Sequence, residues 1–401
     1  MKYIFLLSGD YIGLGKEETL SLFDVRKSKL VDRLLVFELD NGMKSLKESS
    51  QRLALTKNIY KLLFECGVNE LPEAIKNFGW NSVYRDNFCL RIHDFNKTID
   101  KINSNTRTTS ESKGYRGNPF INVLARRSDM AGKRRRALES AEGGLKKDKH
   151  SKKIYSEKDL AGYIWRSLKN PKANLKNPRT KIELFFVDNK AYCGLLIEEL
   201  HEDFESRKAH LRPFPHPSSL NPKVARALVN ITGIKENEVL LDPFCGTGGF
   251  LIEAGLMKIK VIGDDINKIM VNGCIKNLKH FKIKNYKIKR KNALDINDRF
   301  DCVVTDLPYG LNSNALLKYE KDWKMQRLNL KIQKKDFYKN LEKFYLKFLK
   351  NLRKKLKKKA VIVFPHYVDY KKILKISKFK IEKEFSNYVH RSLTRKIVKV
   401  S

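Results

Sequence analysis

The sequence predicts an α/β protein: an open, doubly wound parallel sheet in the carboxyl-terminal half, preceded by smaller α+β units. Three observations predict it. From residue 222 onward, short apolar runs alternate with helical patterns, the signature of strand–helix–strand crossovers. Two of those runs, Val239-Leu240-Leu241 and Cys302-Val303-Val304, lead into loops headed by an acid, and open α/β sheets bind ligands at such strand ends. Before residue 205 the pattern is one of hairpins and single helices. At 401 residues the chain is too long for one ordinary domain. The changes of pattern divide it into 1–80, 81–205 and 206–401.

In chain order, residues 3–7 and 34–38 read as strands. Leu20, Leu22 and Phe23, then Leu53, Leu55, Ile59, Leu62 and Leu63, recur at helical spacing and predict two helices. Phe88 to His93 is a strand. Ser156 is an N-cap for a helix whose stripe is Leu160, Ile164 and Leu168. The runs 182–187 and 191–197, joined by Asp188-Asn189-Lys190, form a hairpin. Residues 104–151 have a different, Arg-, Ser- and Gly-rich character and read as an insertion, mostly exposed. Beyond it, Asn221-Pro222 caps and starts a helix. Strands follow at 238–241, 260–263, 286–289, 301–305 and 360–364. A long helix carries Leu341, Phe344, Tyr345, Phe348 and Leu352, and Ile381 to Val400 makes two closing strands.

Lys and Arg total 83 against 45 Asp and Glu, a formal charge of +38, which attracts polyanions and favours a nucleic-acid partner. Six cysteines form no CxxC pair and have no histidine cluster beside them, so neither a disulfide framework nor a metal site is expected, and a cytoplasmic location fits. The apolar start is too short for a signal peptide, and no run approaches a membrane span.

The loop after the first sheet strand is Asp242-Pro243-Phe244-Cys245-Gly246-Thr247-Gly248-Gly249. Gly246 and Gly248 let the backbone turn sharply against a ligand, and the helix that follows points amide N–H groups at the same place. Phe250-Leu251 breaks the dinucleotide GxGxxG spacing, and the leading acid suits a cofactor with a cationic amino-acid end, as S-adenosylmethionine has. A strand–helix turn packed by glycines is the bland alternative. Asp265, at the end of the next strand, can accept both ribose hydroxyls, with Ile266 against the adenine.

Asp306-Leu307-Pro308-Tyr309-Gly310 reads as a clamp for a planar amine. A conjugated exocyclic amine is a poor nucleophile because its lone pair is delocalised. The Asp306 carboxylate and the Leu307 carbonyl can each accept one N–H and turn that pair toward the methyl group. Pro308 stiffens the turn and Tyr309 can stack on an extruded base. A capping Asp before a Pro turn is the alternative. A C5-methyltransferase would need a cysteine nucleophile, and the segment has none. Ser218 and Ser219 lack a GxSxG elbow, which argues against a hydrolase.

These two segments, with His216-Pro217-Ser218-Ser219-Leu220-Asn221-Pro222, Ser392-Leu393-Thr394-Arg395 and the opening Phe5-Leu6-Leu7-Ser8-Gly9, resemble the Rossmann-like RNA guanine-N2 methyltransferases that carry a THUMP domain, and more closely the archaeal tRNA guanine-10 enzymes. The resemblance covers nearly the whole chain except 104–151. It implies a ferredoxin-like unit at 1–80, a THUMP domain at 81–205 that grips tRNA, and a catalytic domain at 206–401. It implies S-adenosylmethionine held by Asp242, Pro243, Phe244, Gly246, Gly248, Asp265 and Ile266, with Asn292-Ala293 where relatives usually have Asp-Ala beside the adenine amine. It implies Asp306, Leu307, Pro308 and Tyr309 as the catalytic segment, and one or two methyl groups added to guanine N2.

Competing expectations are guanine-N2 methylation at tRNA position 6 or in rRNA, and a non-catalytic RNA-binding factor on the same fold. A DNA adenine-N6 enzyme uses a similar clamp, but the THUMP-like unit argues for RNA. A small activating partner subunit stays open, as do the number of methyl groups and the role of 104–151.

Overall fold

The computed structural model describes the chain except for residues 24, 26, 41–42, 97–154, 218, 298, 310–333 and 391–392. The expected insertion at 104–151, with Ser218, Gly310 and Ser392, therefore lies outside the described residues. Two compact units are present, Met1–Leu63 together with Gly194–Ser401, and Phe64–Cys193.

The first unit opens with β1 (Lys2–Leu7), α1 (Ile12–Leu22), β2 (Ser28–Val31), β3 (Leu34–Glu38), α2 (Met43–Ser50) and β4 (Thr56–Gly67). The strands lie in the order β2-β3-β1-β4, each pair antiparallel, which is the ferredoxin-like arrangement. Phe5 stacks on Phe37 with ring centroids 4.6 Å apart, and Phe23 closes on Phe5 edge-on. The helix expected from Leu53 to Leu63 is instead strand β4. Leu55, Ile59, Leu62 and Leu63 mimic a helical stripe, but Thr56, Ile59 and Tyr60 prefer a pleated surface. Pairing from Leu7↔Thr56 to Tyr3↔Lys61 supplies the backbone partners, and Ile59 and Tyr60, on opposite faces, are both fully buried.

The second unit contains α3 (Leu71–Asn77), β5 (Phe88–Asp94), α4 (Glu157–Ser167), β6 (Thr180–Val187) and the start of β7 (Lys190–Glu199). β5 runs parallel to β6, with pairs from Phe88↔Thr180 to Asp94↔Phe186. Ser156 caps α4 as expected, accepting from Asp159 N at 3.1 Å, and Leu160 and Ile164 are buried. Trp80 is buried and donates its indole N–H to the Ile75 carbonyl at 2.6 Å.

The rest of the first unit is the doubly wound sheet. Its helices are α5 (Pro222–Ile231), α6 (Gly249–Leu256), α7 (Lys268–His280), α8 (Lys334–Lys355) and α9 (Tyr370–Ile376). Its strands are β8 (Val239–Asp242), β9 (Lys260–Asp265), β10 (Tyr286–Arg290), β11 (Cys302–Asp306), β12 (Ala360–Pro365), β13 (Ile381–His390) and β14 (Leu393–Val400), in the order β10-β9-β8-β11-β12-β14-β13. The first five are parallel, and β14 is antiparallel to both of its neighbours. The chain winds outward from β8 to β10, then returns to lay β11 on the other side of β8. That reversal is the switch point where such sheets bind ligands. One core lies under α5 and α6 and the other under α8 and α9.

Two buried polar sets hold the amino-terminal part to the sheet domain. Glu18 of α1 accepts from Ala54 N and Leu55 N, both at 2.9 Å, and from Asn230 Nδ2 of α5 at 2.8 Å. Lys399 of β14 pairs with Glu17 at 2.7 Å. In α6, the fully buried Glu253 accepts from Arg207 Nε at 2.8 Å and Arg226 Nε at 2.9 Å. Among the described residues no helix is long and apolar enough to cross a membrane.

Candidate active site

The ends of β8, β9 and β11 converge on one cavity of about 590 Å³, a size that suits a nucleoside-sized ligand. Every site residue expected from the sequence lines it except Gly248: Asp242, Pro243, Phe244, Gly246, Asp265, Ile266, Asn292, Ala293 and Asp306 to Tyr309. Gly248 stands just behind the wall. Its φ is +87°, and a Cβ there would lie 2.7 Å from Cys274 Sγ, so both the left-handed turn and the packing require glycine. Gly246 also has positive φ, at +50°.

Each acid is held by backbone geometry. Asp242 Oδ1 accepts from Phe244 N at 3.2 Å and from the Thr305 hydroxyl at 2.9 Å, a bond that ties the end of β8 to β11. Asp265 accepts from Gly246 N at 3.0 Å and Asn267 N at 2.8 Å, so it braces the glycine loop. Asn292 uses its side-chain oxygen to cap its own turn at Leu294 N, 2.9 Å away, and faces the cavity beside Ala293.

The described cavity wall carries three carboxylates and neither Lys nor Arg; His216 is its one basic side chain. Burial pushes Asp242 up to about 8, against the Thr305 and Phe244 bonds, with Asp265 and Asp306 adding to the rise. Burial likewise raises Asp265, and raises Asp306 to about 7 against the opposing Arg395 guanidinium. Such a pocket attracts a cation. It therefore fits the ammonium and sulfonium of S-adenosylmethionine and repels a pyrophosphate.

The clamp segment is tied down from three sides. The Tyr345 hydroxyl of α8 donates to the Pro308 carbonyl at 2.6 Å, the Tyr367 hydroxyl donates to the Tyr309 carbonyl, and the Tyr309 hydroxyl donates to Asp306. Among the described residues none donates to the Leu307 carbonyl.

Sequence reasoning did not place His216, Ser219, Thr247, Met270 or Phe344 in this wall. The segment before α5 arrives because buried Asn277 pins it: its side chain bonds Phe214 N and O at 2.9 and 3.0 Å and the Thr247 carbonyl at 3.0 Å. Ser219 and Thr247 meet through their hydroxyls at 3.2 Å.

Residues 209–321, which include both loops, match the family described as RMKL-like, methyltransferase domain. This chain carries a methyltransferase domain. A tRNA (guanine(10)-N2)-dimethyltransferase of Methanothermobacter thermautotrophicus is 28% identical over 364 residues, covering 90% of this chain and 86% of that one. Proteins of the same name from Methanocaldococcus jannaschii and Pyrococcus abyssi are 38% and 34% identical over 192 and 230 residues. Those matches cover 44% and 56% of this chain and 54% and 62% of theirs. All three are homologues of this chain.

Proposed function

We propose that this chain methylates the exocyclic N2 amine of a guanine in tRNA, at position 10, giving the mono- and then the dimethyl form. The observation that carries the reading is the acidic cavity, with neither Lys nor Arg among its described lining residues, set between a glycine loop on β8 and a carboxylate-headed turn on β11. The homologues supply the substrate class and the position. The THUMP assignment of 81–205, tRNA contact through it and a cytoplasmic location belong to the same proposal.

Asp242 and Gly246 hold the amino-acid end of the donor, with Gly248 making the turn behind them, Asp265 holds the ribose, and Ile266, Asn292 and Ala293 the adenine. The donor supplies a methyl group made electrophilic by its sulfonium. Asp306 accepts one amine N–H. The Leu307 carbonyl accepts the other, since Tyr345 and Tyr367 already occupy the carbonyls of Pro308 and Tyr309. That pairing turns the nitrogen lone pair toward the methyl carbon and removes the cost of orienting it during reaction. Near pH 7 the Asp306 carboxylate is also basic enough to receive the proton the amine loses.

The test is methyl transfer from labelled S-adenosylmethionine to unmodified tRNA transcripts, followed by nucleoside mass spectrometry. The expected products are N2-methyl- and N2,N2-dimethylguanosine, both lost when guanine 10 is replaced. Transfer that survives the replacement moves the target to position 6 or another guanine. Tight tRNA binding with no transfer overturns the enzymatic reading.

A further inference from the structure

The carboxylate of Asp306 is met from a distant part of the chain. Arg395 of β14 places Nε 3.5 Å from Asp306 Oδ2 and 3.0 Å from the Tyr309 hydroxyl, and its guanidinium carbon lies 5.7 Å from the Tyr309 ring centroid. With the Tyr309–Asp306 bond, the three side chains close a ring. Strand β12 lies between β11 and β14, and Arg395 is in register with Pro365 of β12, so the side chain spans a whole strand to reach the acid. Only a long cation has that reach. Its side chain is 10% exposed; further along β14, Ile397, Val398 and Val400 are buried, and so is Lys399, which is paired with Glu17. Stability alone does not account for a cation here. A buried ion pair is often no better than apolar packing, so this one calls for a role beyond stability.

We propose that Arg395 is the positioning residue of methyl transfer: it keeps Asp306 an ionised acceptor and holds Tyr309 at the edge of the clamp. The inference rests on the reading that Asp306 accepts an amine N–H. A protonated Asp306 would present an O–H donor toward the amine, the wrong partner. The groups around this carboxylate are Asp242 at the end of the adjacent strand β8, Tyr309 on its own turn, Tyr345 on α8 and Arg395 on β14, with Asp265 one strand further away and Tyr367 on the Tyr309 carbonyl. Burial pushes the proton onto Asp306, and Arg395 is the cation that opposes it. A guanidinium cannot lose its charge in this range, so the opposition is constant.

The experiment compares wild type with Arg395→Met, Arg395→Gln and Arg395→Lys. The Asp306 carboxyl is titrated by carbon NMR in Asp-labelled protein and assigned by its loss in Asp306→Asn. Turnover on tRNA is followed against pH. In the Met and Gln variants the Asp306 midpoint and the acid limb of kcat move to higher pH together. Each unit of movement leaves about tenfold less carboxylate near neutrality. The KM for S-adenosylmethionine changes less than twofold, and Lys restores part of both shifts. If Met does not fold, Gln carries the comparison, because it keeps a polar side chain without the charge. An unmoved midpoint and an unmoved acid limb in a folded variant that turns over overturn the proposal alone. If wild type methylates no tRNA guanine, the proposed function fails, and the NMR titration still reports whether Arg395 governs Asp306.

Discussion

Asp306 joins the fold to the proposed chemistry through one carboxylate. Replacing it with Asn keeps the size but presents an amide, half of which donates. Turnover is expected to fall at least ~10²-fold, the scale of a lost positioning contact. S-adenosylmethionine affinity should stay within about twofold, and isothermal titration beside single-turnover kinetics separates the two. Gly248→Ala should cost about 1–3 kcal/mol in urea unfolding, from backbone strain at φ +87°. Adding Cys274→Ala should recover the part due to the 2.7 Å clash and leave the strain. At this scale the sequence was most legible where backbone geometry dictates residue type: an acid at a strand end, glycines in the loop, a proline in the turn. Arg395, Tyr345 and Tyr367 were not legible as site residues. They reach the clamp through the sheet and from α8, and no local spacing records such a meeting.

Elements were read well where hydrophobic period and caps agree. Ser156 and Asn221 cap the helices expected of them, and β8, β9, β11 and β12 lie where the apolar runs placed them. The failure at β4 has a specific cause: Leu55, Ile59 and Leu62 satisfy a helical period, and only the unoccupied edge of β1 decides for a strand. Short elements such as β2 and α9 carry too few apolar positions to register. Helix α6 bears a consequence of its own. Glu253 is fully buried between Arg207 and Arg226, so Glu253→Ala removes the buried one of the two carboxylates they share and leaves only the half-exposed Glu202 between two buried guanidiniums. The expected cost is about 3–5 kcal/mol, read from the denaturation midpoint. Loss of the donor loop should follow, because α6 begins at Gly249.

For the whole molecule, two charge patterns act separately. The chain carries a formal excess of +38, and some of its described lysines are paired: Lys357 meets Asp301, Lys358 meets Glu238 and Lys359 meets Glu382. Affinity for tRNA should fall linearly with salt on logarithmic axes, while donor affinity, set inside the cavity, should change little. Fluorescence titrations from 50 to 300 mM salt test both. The buried acids act on stability in the opposite sense to ordinary paired carboxylates. Glu18 and Asp306 titrate at about 7 and Asp242 at about 8 in the folded chain, all above their unfolded values. The folded state therefore holds protons more tightly. The stability they give is complete at low pH and is lost as pH rises through about 7 to 8. The ligand-free protein should melt at a lower temperature at pH 8.5 than at 6.5, as calorimetry would show. A Tm rising over that interval would contradict the assignment.

The bond from Thr305 to Asp242 has a bearing on redesign. It locks neighbouring parallel strands, whose separation is fixed at about 4.8 Å by the backbone ladder itself. The spacing between the Asp242 and Asp306 strand ends is therefore a property of the sheet. A designer seeking a new nucleobase must keep Tyr345, Tyr367 and Arg395, which come later in the chain and hold the Asp306–Tyr309 turn, and a single register slip between β8 and β11 would disable every substrate alike.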